Sequence, residues 1–247
     1  MSPTEALKEY FDLIERENLF SRGTNGLASY LGYLFMGISF EGKTMLDVGG
    51  GCGLFAFFAV LKGAREVVIL EPIHSGSNAG IEDRFEMLRA RLGTGNRVKI
   101  FPVALQEYEP GYSTFDVVLL HNSVNHLDEE ACRRLHRSEK AVAVYRDIFE
   151  KVGSLTSSGG SVIITDCSRY NFFPMLGLRN PIVPMIEWDK HQPPGLWSRL
   201  AREAGLYEPK VRWTSPNRLG RIGRTLLGNR AACFFLTSHF CLTLKKR

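Results

Sequence analysis

Apolar residues first recur at helical spacing and later in short runs separated by polar, glycine-rich breaks. Over 4–18, Leu7, Tyr10, Phe11 and Ile14 fall on one face and lead into Leu19 and Phe20, which predicts an amphipathic helix. Gly23-Thr24-Asn25-Gly26 is expected to break the chain before a second helix over 27–36, rich in aromatics at Tyr30, Tyr33 and Phe35. From Thr44 the pattern alternates. Strands are expected over 44–48, 66–71, 97–103, 116–121 and 161–166. Helices are expected over 53–61, 81–92, 128–152 and 194–204, the last stopped by Gly205. The run Val117-Val118-Leu119-Leu120 is apolar on both faces, as in a strand covered on both sides. Two last strands, over 207–214 and 234–244, follow one another without a full helical crossover between them.

Strand–helix alternation over this length predicts an α/β fold: a doubly wound, mostly parallel seven-stranded sheet with an antiparallel C-terminal strand pair and an N-terminal helical extension. Residues 1–40 would form the extension, or lid, and 41–247 the sheet domain. The chain has 247 residues, of which 44% are hydrophobic, enough for one good core. The longest apolar runs are too short to span a bilayer, and the first residues show no basic-then-apolar leader, so a cytoplasmic location is the expectation. Five cysteines, with no C-x-x-C pair, argue for reduced, mostly buried thiols and against a disulfide framework or a zinc site.

Charge is unevenly spread. After Glu208 there is no acidic residue, while Lys210, Arg212, Arg218, Arg221, Arg224, Arg230, Lys245, Lys246 and Arg247 are basic. Subtracting those nine from the net charge of +5 leaves −4 over residues 1–208. The overall basicity is therefore no argument for a nucleic-acid partner. Arg218, Arg221 and Arg224 recur at helical spacing and form either a solvated basic face or an anion site, for an anionic acceptor or a membrane headgroup.

The chemistry concentrates at Met45-Leu46-Asp47-Val48-Gly49-Gly50-Gly51-Cys52-Gly53-Leu54, an apolar strand running into four glycines and then a helix. Glycines allow a sharp turn and a close ligand, and the helix start offers unpaired N–H groups. Glu71 ends the next strand, placed to accept ribose hydroxyls. Gly51-Cys52-Gly53-Leu54-Phe55-Ala56 also satisfies G-x-G-x-x-A, so an NAD-linked oxidoreductase is an alternative, although no Tyr-x-x-x-Lys pair accompanies it. A non-catalytic partner protein on the same fold is another; the intact glycines and Glu71 argue against it.

The run 46–53 resembles motif I of the class I S-adenosylmethionine (SAM)-dependent methyltransferases, in which an acidic residue precedes a G-x-G-x-G loop. That resemblance covers roughly residues 40–247 and implies a SAM cofactor. Gly49, Gly51 and Gly53 match the loop, Asp47 the acid at the methionine end, and Glu71 the ribose-binding acid. The stretch 115–122 resembles the family's fourth strand. The family often carries Asp near the adenine after the third strand; here Val103-Ala104-Leu105-Gln106-Glu107-Tyr108 has none, leaving Gln106 to bond the adenine amino group or Leu105 to wall it.

After the fourth strand comes the polar stretch His121-Asn122-Ser123-Val124-Asn125-His126, which in the family lies beside the transferring methyl. His121 is assigned to the cofactor-binding set, or else closes the strand structurally. His126 is a candidate base for an acceptor hydroxyl, or a loop residue capping the next helix. His191, in Trp188-Asp189-Lys190-His191-Gln192-Pro193-Pro194, is the second candidate base, in a stretch loosely similar to methyltransferases of glycans and secondary metabolites; the plainer reading is a lead-in to a helix with Pro at its first position. Asp166 at the fifth strand's end belongs to too thin an acidic set for a metal, so none is expected. The expected activity is methyl transfer from SAM to a small-molecule or glycan acceptor, by O-methylation.

Overall fold

The computed structural model describes residues 3–20, 23–72, 80–109, 111, 113–214, 223 and 226–247. Arg218, Arg221 and Arg224 lie outside the described residues. The element order is α1 (Pro3–Arg16), α2 (Gly23–Leu34), β1 (Thr44–Val48), α3 (Leu54–Leu61), β2 (Glu66–Leu70), α4 (Ile81–Leu92), β3 (Val98–Phe101), β4 (Phe115–His121), α5 (Glu129–Arg134), α6 (Glu139–Leu155), β5 (Thr156–Cys167), α7 (Phe172–Met175), α8 (Pro194–Glu203), β6 (Leu206–Trp213), α9 (Arg230–Phe235) and β7 (His239–Lys246). The seven strands form one sheet in the order β3-β2-β1-β4-β5-β7-β6. Only β7 runs antiparallel to its neighbours, as the C-terminal pattern implies.

Alternate residues of each strand feed two apolar layers. Met45, Val67, Ile69, Val117, Leu119, Ile163 and Cys241 face α1–α4, where Tyr10, Leu31, Phe57 and Phe85 are buried. Leu46, Val68, Val118, Val162, Ile164 and Leu242 face α6 and α8, around the fully buried Trp197. Residues 3–34 thus pack in the same core as the sheet. No helix among the described residues is long and apolar enough to cross a membrane. All five cysteines are free thiols, and all but Cys52 are buried.

Three expectations shift. The single helix expected over 128–152 is two, because Asp128 accepts from the Ala131 N–H (2.8 Å) and Ser138 from the Ala141 N–H (3.3 Å), each starting its own helix. The glycine stretch 23–26 opens α2 rather than merely breaking α1. The last strand starts at His239, not 234. Asn229 caps Ala232 N–H (2.9 Å) and starts α9 there, and Ser238, with φ 49°, turns the chain into β7.

Candidate functional site

Going outward from the middle of the sheet, β1 leads one way to β2 and β3, while β4 and β5 lie the other way. The carboxyl ends of β1 and β4 therefore frame the crevice where ligands bind in open α/β sheets. Gly49 (φ 71°), Gly51 (φ 54°) and Gly53 (φ 88°) all lie in the left-handed region, which carries the chain from β1 into α3. A Cβ on Gly49 would come within 2.7 Å of Ser123 Cβ, and one on Gly53 within 2.8 Å of Ile69 Cδ1, so these two are held by packing. A Cβ on Gly51 would meet nothing within 4 Å. Its requirement for glycine is conformational, and its amide is turned to the rim: it donates to Glu71 Oε2 at 2.8 Å.

A cleft of about 590 Å³ opens beside this loop. Gly49 and Glu71 line it from β1 and β2, Leu105 and Gln106 from the segment after β3, and Ser123 and His126 from the segment after β4. Ser123 Oγ donates to Val48 O (2.6 Å) and ties the two strand ends together. Leu105 is buried, an apolar wall; Gln106 Nε2 donates to Leu127 O (2.8 Å), which leaves the amide oxygen unspent.

Asp47 is fully buried, on the strand face of Met45, beneath the loop rather than on the cleft wall. Neither carboxylate oxygen has a hydrogen-bond partner, and a Cβ on Gly50 would fall 2.7 Å from Asp47 Cγ. Burial, reinforced by the nearby Glu71 charge, pushes its carboxyl up to about 7.

The three histidines separate. His126 Nδ1 lies 2.7 Å from Glu129 Oε1, and Asn125 Nδ2 lies 3.3 Å from His126 Nε2. With the amide donating, the hydrogen-bond network assigns the proton to Nδ1 and leaves Nε2 the acceptor. Lys190 Nζ holds the same Glu129 at 2.9 Å, and together these partners lower the Glu129 carboxyl. His191 does not line that cleft. Its Nδ1 is 2.6 Å from Asp166 Oδ1, and the buried Asp166 also accepts from Cys167 N (2.7 Å) and Trp197 Nε1 (3.2 Å). Pro193 and Pro194 follow and open α8, as the proline signal implies.

His121 is likewise absent from the cleft wall. Tyr30 Oη lies 2.7 Å from its Nε2 and Phe55 packs on its ring, 4.4 Å between centroids. Burial, then the neighbouring His239, pulls its pKa down to about 3, so it is a neutral imidazole. It begins a row across the sheet, His121–Thr165–Cys241–Arg212, in which each residue pairs with the next. Over this row α2 is latched twice. Tyr30 meets His121, while Tyr33 Oη donates to Arg212 O (2.9 Å) and Arg212 Nη2 donates back to the carbonyls of Tyr33 and Leu34 at the end of α2.

Sequence reasoning missed two residues of this rim, Asn122 and Glu129. Asn122, with φ 52°, lines the cleft, and its Oδ1 lies 3.1 Å from Thr165 Oγ1 and 3.0 Å from His239 Nε2. The only linear signal was a polar residue directly after an apolar strand; the partners come from strands 43 and 117 positions later. Glu129 as the His126 partner had a signal, the i, i+3 spacing at a helix start.

No protein-family model and no curated protein sequence matches this chain. Solved structures do. A SAM-dependent methyltransferase from Mesorhizobium loti is 14% identical with a TM-score of 0.61, over 90% of this chain and 98% of that one. An O-methyltransferase family protein from Burkholderia thailandensis is 16% identical with a TM-score of 0.57, over 89% and 55%. The 1,6-didemethyltoxoflavin-N1-methyltransferase of the same organism is 14% identical with a TM-score of 0.56, over 100% and 91%. At these identities the likeness establishes the fold: a class I, Rossmann-like methyltransferase fold.

Proposed function

From this fold and this cleft we propose that the protein is a SAM-dependent methyltransferase acting on a small-molecule acceptor, transferring the methyl group to an oxygen. The observation that carries the reading is Glu71. Its carboxylate stands at the tip of β2, 2.8 Å from the Gly51 amide, on the wall of the same cleft as Gln106 and His126. The buried, unpartnered Asp47 beneath the loop fits a ligand that brings positive charge to this rim, as a sulfonium amino acid does.

SAM supplies an already activated methyl on sulfur. The chain's own work is to orient and to move one proton. Glu71 accepts the ribose hydroxyls in place of its bond to Gly51. Leu105 flanks the adenine, and the Gln106 amide oxygen accepts from its amino group. His126 is the base: Glu129 fixes the ring, and Nε2, giving up its long contact with the Asn125 amide (3.3 Å), takes the proton of the acceptor hydroxyl. His191, oriented by Asp166, is the second candidate for that role, and His121 steadies α2 over the rim.

Titration calorimetry tests the cofactor assignment. Glu71→Ala is expected to weaken SAM by about 1.5–3 kcal/mol, the range for hydrogen bonds to a charged group. A folded Glu71→Ala protein that binds SAM as tightly as wild type would rule this placement out. Tight binding of NAD in place of SAM by the wild type would overturn the whole reading.

A further inference from the structure

Between the end of β5 and the start of α8 the chain makes an excursion that reverses the usual distribution of side chains. Asn171 and Asn180 are buried inside it. Asn180 Nδ2 donates to Asn171 Oδ1 (3.1 Å) and Leu236 O (2.6 Å), Asn171 Nδ2 donates to Leu236 O (3.1 Å), and Asn180 Oδ1 accepts from the amides of Ile182 and Val183. The outside is apolar. Met185 is 84% exposed and Leu176 59%, with Met175, Leu178 and Ile182 also open to solvent. The Leu236 contacts and the packing of Phe172 on Phe235 (5.1 Å between centroids) join this surface to α9, whose Phe235 is itself half exposed. Exposed apolar side chains gathered on one excursion and on the helix it packs against are characteristic of an interaction surface.

Its charge indicates the partner. No acidic residue occurs over 167–186 or beyond Glu208, while Arg179 and Arg230 are exposed on the excursion and at the start of α9. Two copies of this chain meeting through the face would oppose cations to cations. Exposed apolar side chains that can insert among acyl chains, with Arg179 and Arg230 exposed on the same two elements, match an anionic bilayer. We propose that the face built from the 171–186 excursion and α9 docks the protein on an anionic lipid surface. The proposal is independent of the methyltransferase reading, since its test measures binding.

The experiment is co-sedimentation of the full chain with vesicles of phosphatidylcholine alone and of phosphatidylcholine with phosphatidylglycerol, at low and high salt. Binding is expected to the anionic vesicles only and to weaken with salt. The double variant Arg179→Glu/Arg230→Glu is expected to lower the partition coefficient roughly tenfold or more. Leu176→Asp/Met185→Asp should do the same, and Phe235→Ser, on another element, serves as a second apolar variant should the excursion unfold. No wild-type binding to anionic vesicles, or binding indifferent to every variant, overturns the proposal. So does a concentration-dependent dimer in size-exclusion chromatography that Leu176→Asp/Met185→Asp abolishes, which would give the face to a second copy.

Discussion

Asp47→Asn is expected to stabilise the ligand-free protein at pH 8. An unfolded aspartate ionises near 3.8, but burial holds the native carboxyl protonated up to about 7. The native state therefore binds the extra proton between those values, and stability falls as pH rises through that window. At about 1.4 kcal/mol per pH unit, the full loss above pH 7 is on the order of 4 kcal/mol. Asparagine has nearly the same shape and no charge. Its amide would inherit a site that the neutral acid also leaves unpartnered, so that cost is common to both. The net expectation is a gain on the order of 4 kcal/mol at pH 8, shrinking towards zero near pH 4, where wild-type Asp47 is itself neutral. Urea unfolding of both proteins at the two pH values measures this directly. A variant less stable than wild type at pH 8 would mean that the carboxylate is ionised and solvated in the native state. SAM should close the gap from the other side: it should raise the melting temperature of wild type more than that of the variant, because only wild type offers a negative partner beneath the loop.

His126→Ala is expected to lower kcat by roughly 10²–10⁴, the usual cost of removing a general base. SAM affinity should stay nearly unchanged, because no charged or bidentate contact to the cofactor is lost. Glu129→Gln should reproduce part of the effect, since it weakens the 2.7 Å contact that fixes the ring and its tautomer. His191→Ala separates the two candidates. If His191 serves only to bridge Asp166 to the lead-in of α8, its removal should lower the melting temperature and leave kcat of the folded enzyme within a few-fold. Turnover with labelled SAM, using an acceptor found by screening, decides the matter. Full turnover in folded His126→Ala would end the base assignment; a large loss in His191→Ala would transfer it to the Asp166 pair.

The fold was readable in the chain because its signals are local. The glycine run at 49–53, the buried runs of β1 and β4 and the Gly205 stop each declare an element within a few residues. The exceptions have local causes that a hydrophobic pattern does not register. Ser138 caps a second helix inside what reads as one, and Asn229 caps a short helix inside what reads as a strand. That Gly49, Glu71, Gln106 and His126 line one cleft was legible for the same reason: all four follow strand ends, and strand ends of a doubly wound sheet share one rim. Partnerships across the sheet were not legible. His121 beneath Tyr30, Asn122 beside His239 and Asp166 holding His191 each join positions 25 to 117 residues apart. Asn122 meets His239 because β7 lies beside β5 in the strand order, while Tyr30 and His191 arrive on α2 and on the lead-in to α8.

The double latch of α2 also orders events during synthesis. Tyr33 reaches Arg212, 179 residues away, and Tyr30 reaches His121, 91 away. α2 is synthesised before either partner: His121 follows only after another 91 residues, and Arg212 only after 179. Until then its aromatic face, and the strand faces it will cover, stay exposed to other chains. Such long-range closure makes folding slow and puts aggregation in competition with it. Nascent chains stalled before residue 206 should therefore lack the protease resistance of α2 that the completed protein acquires.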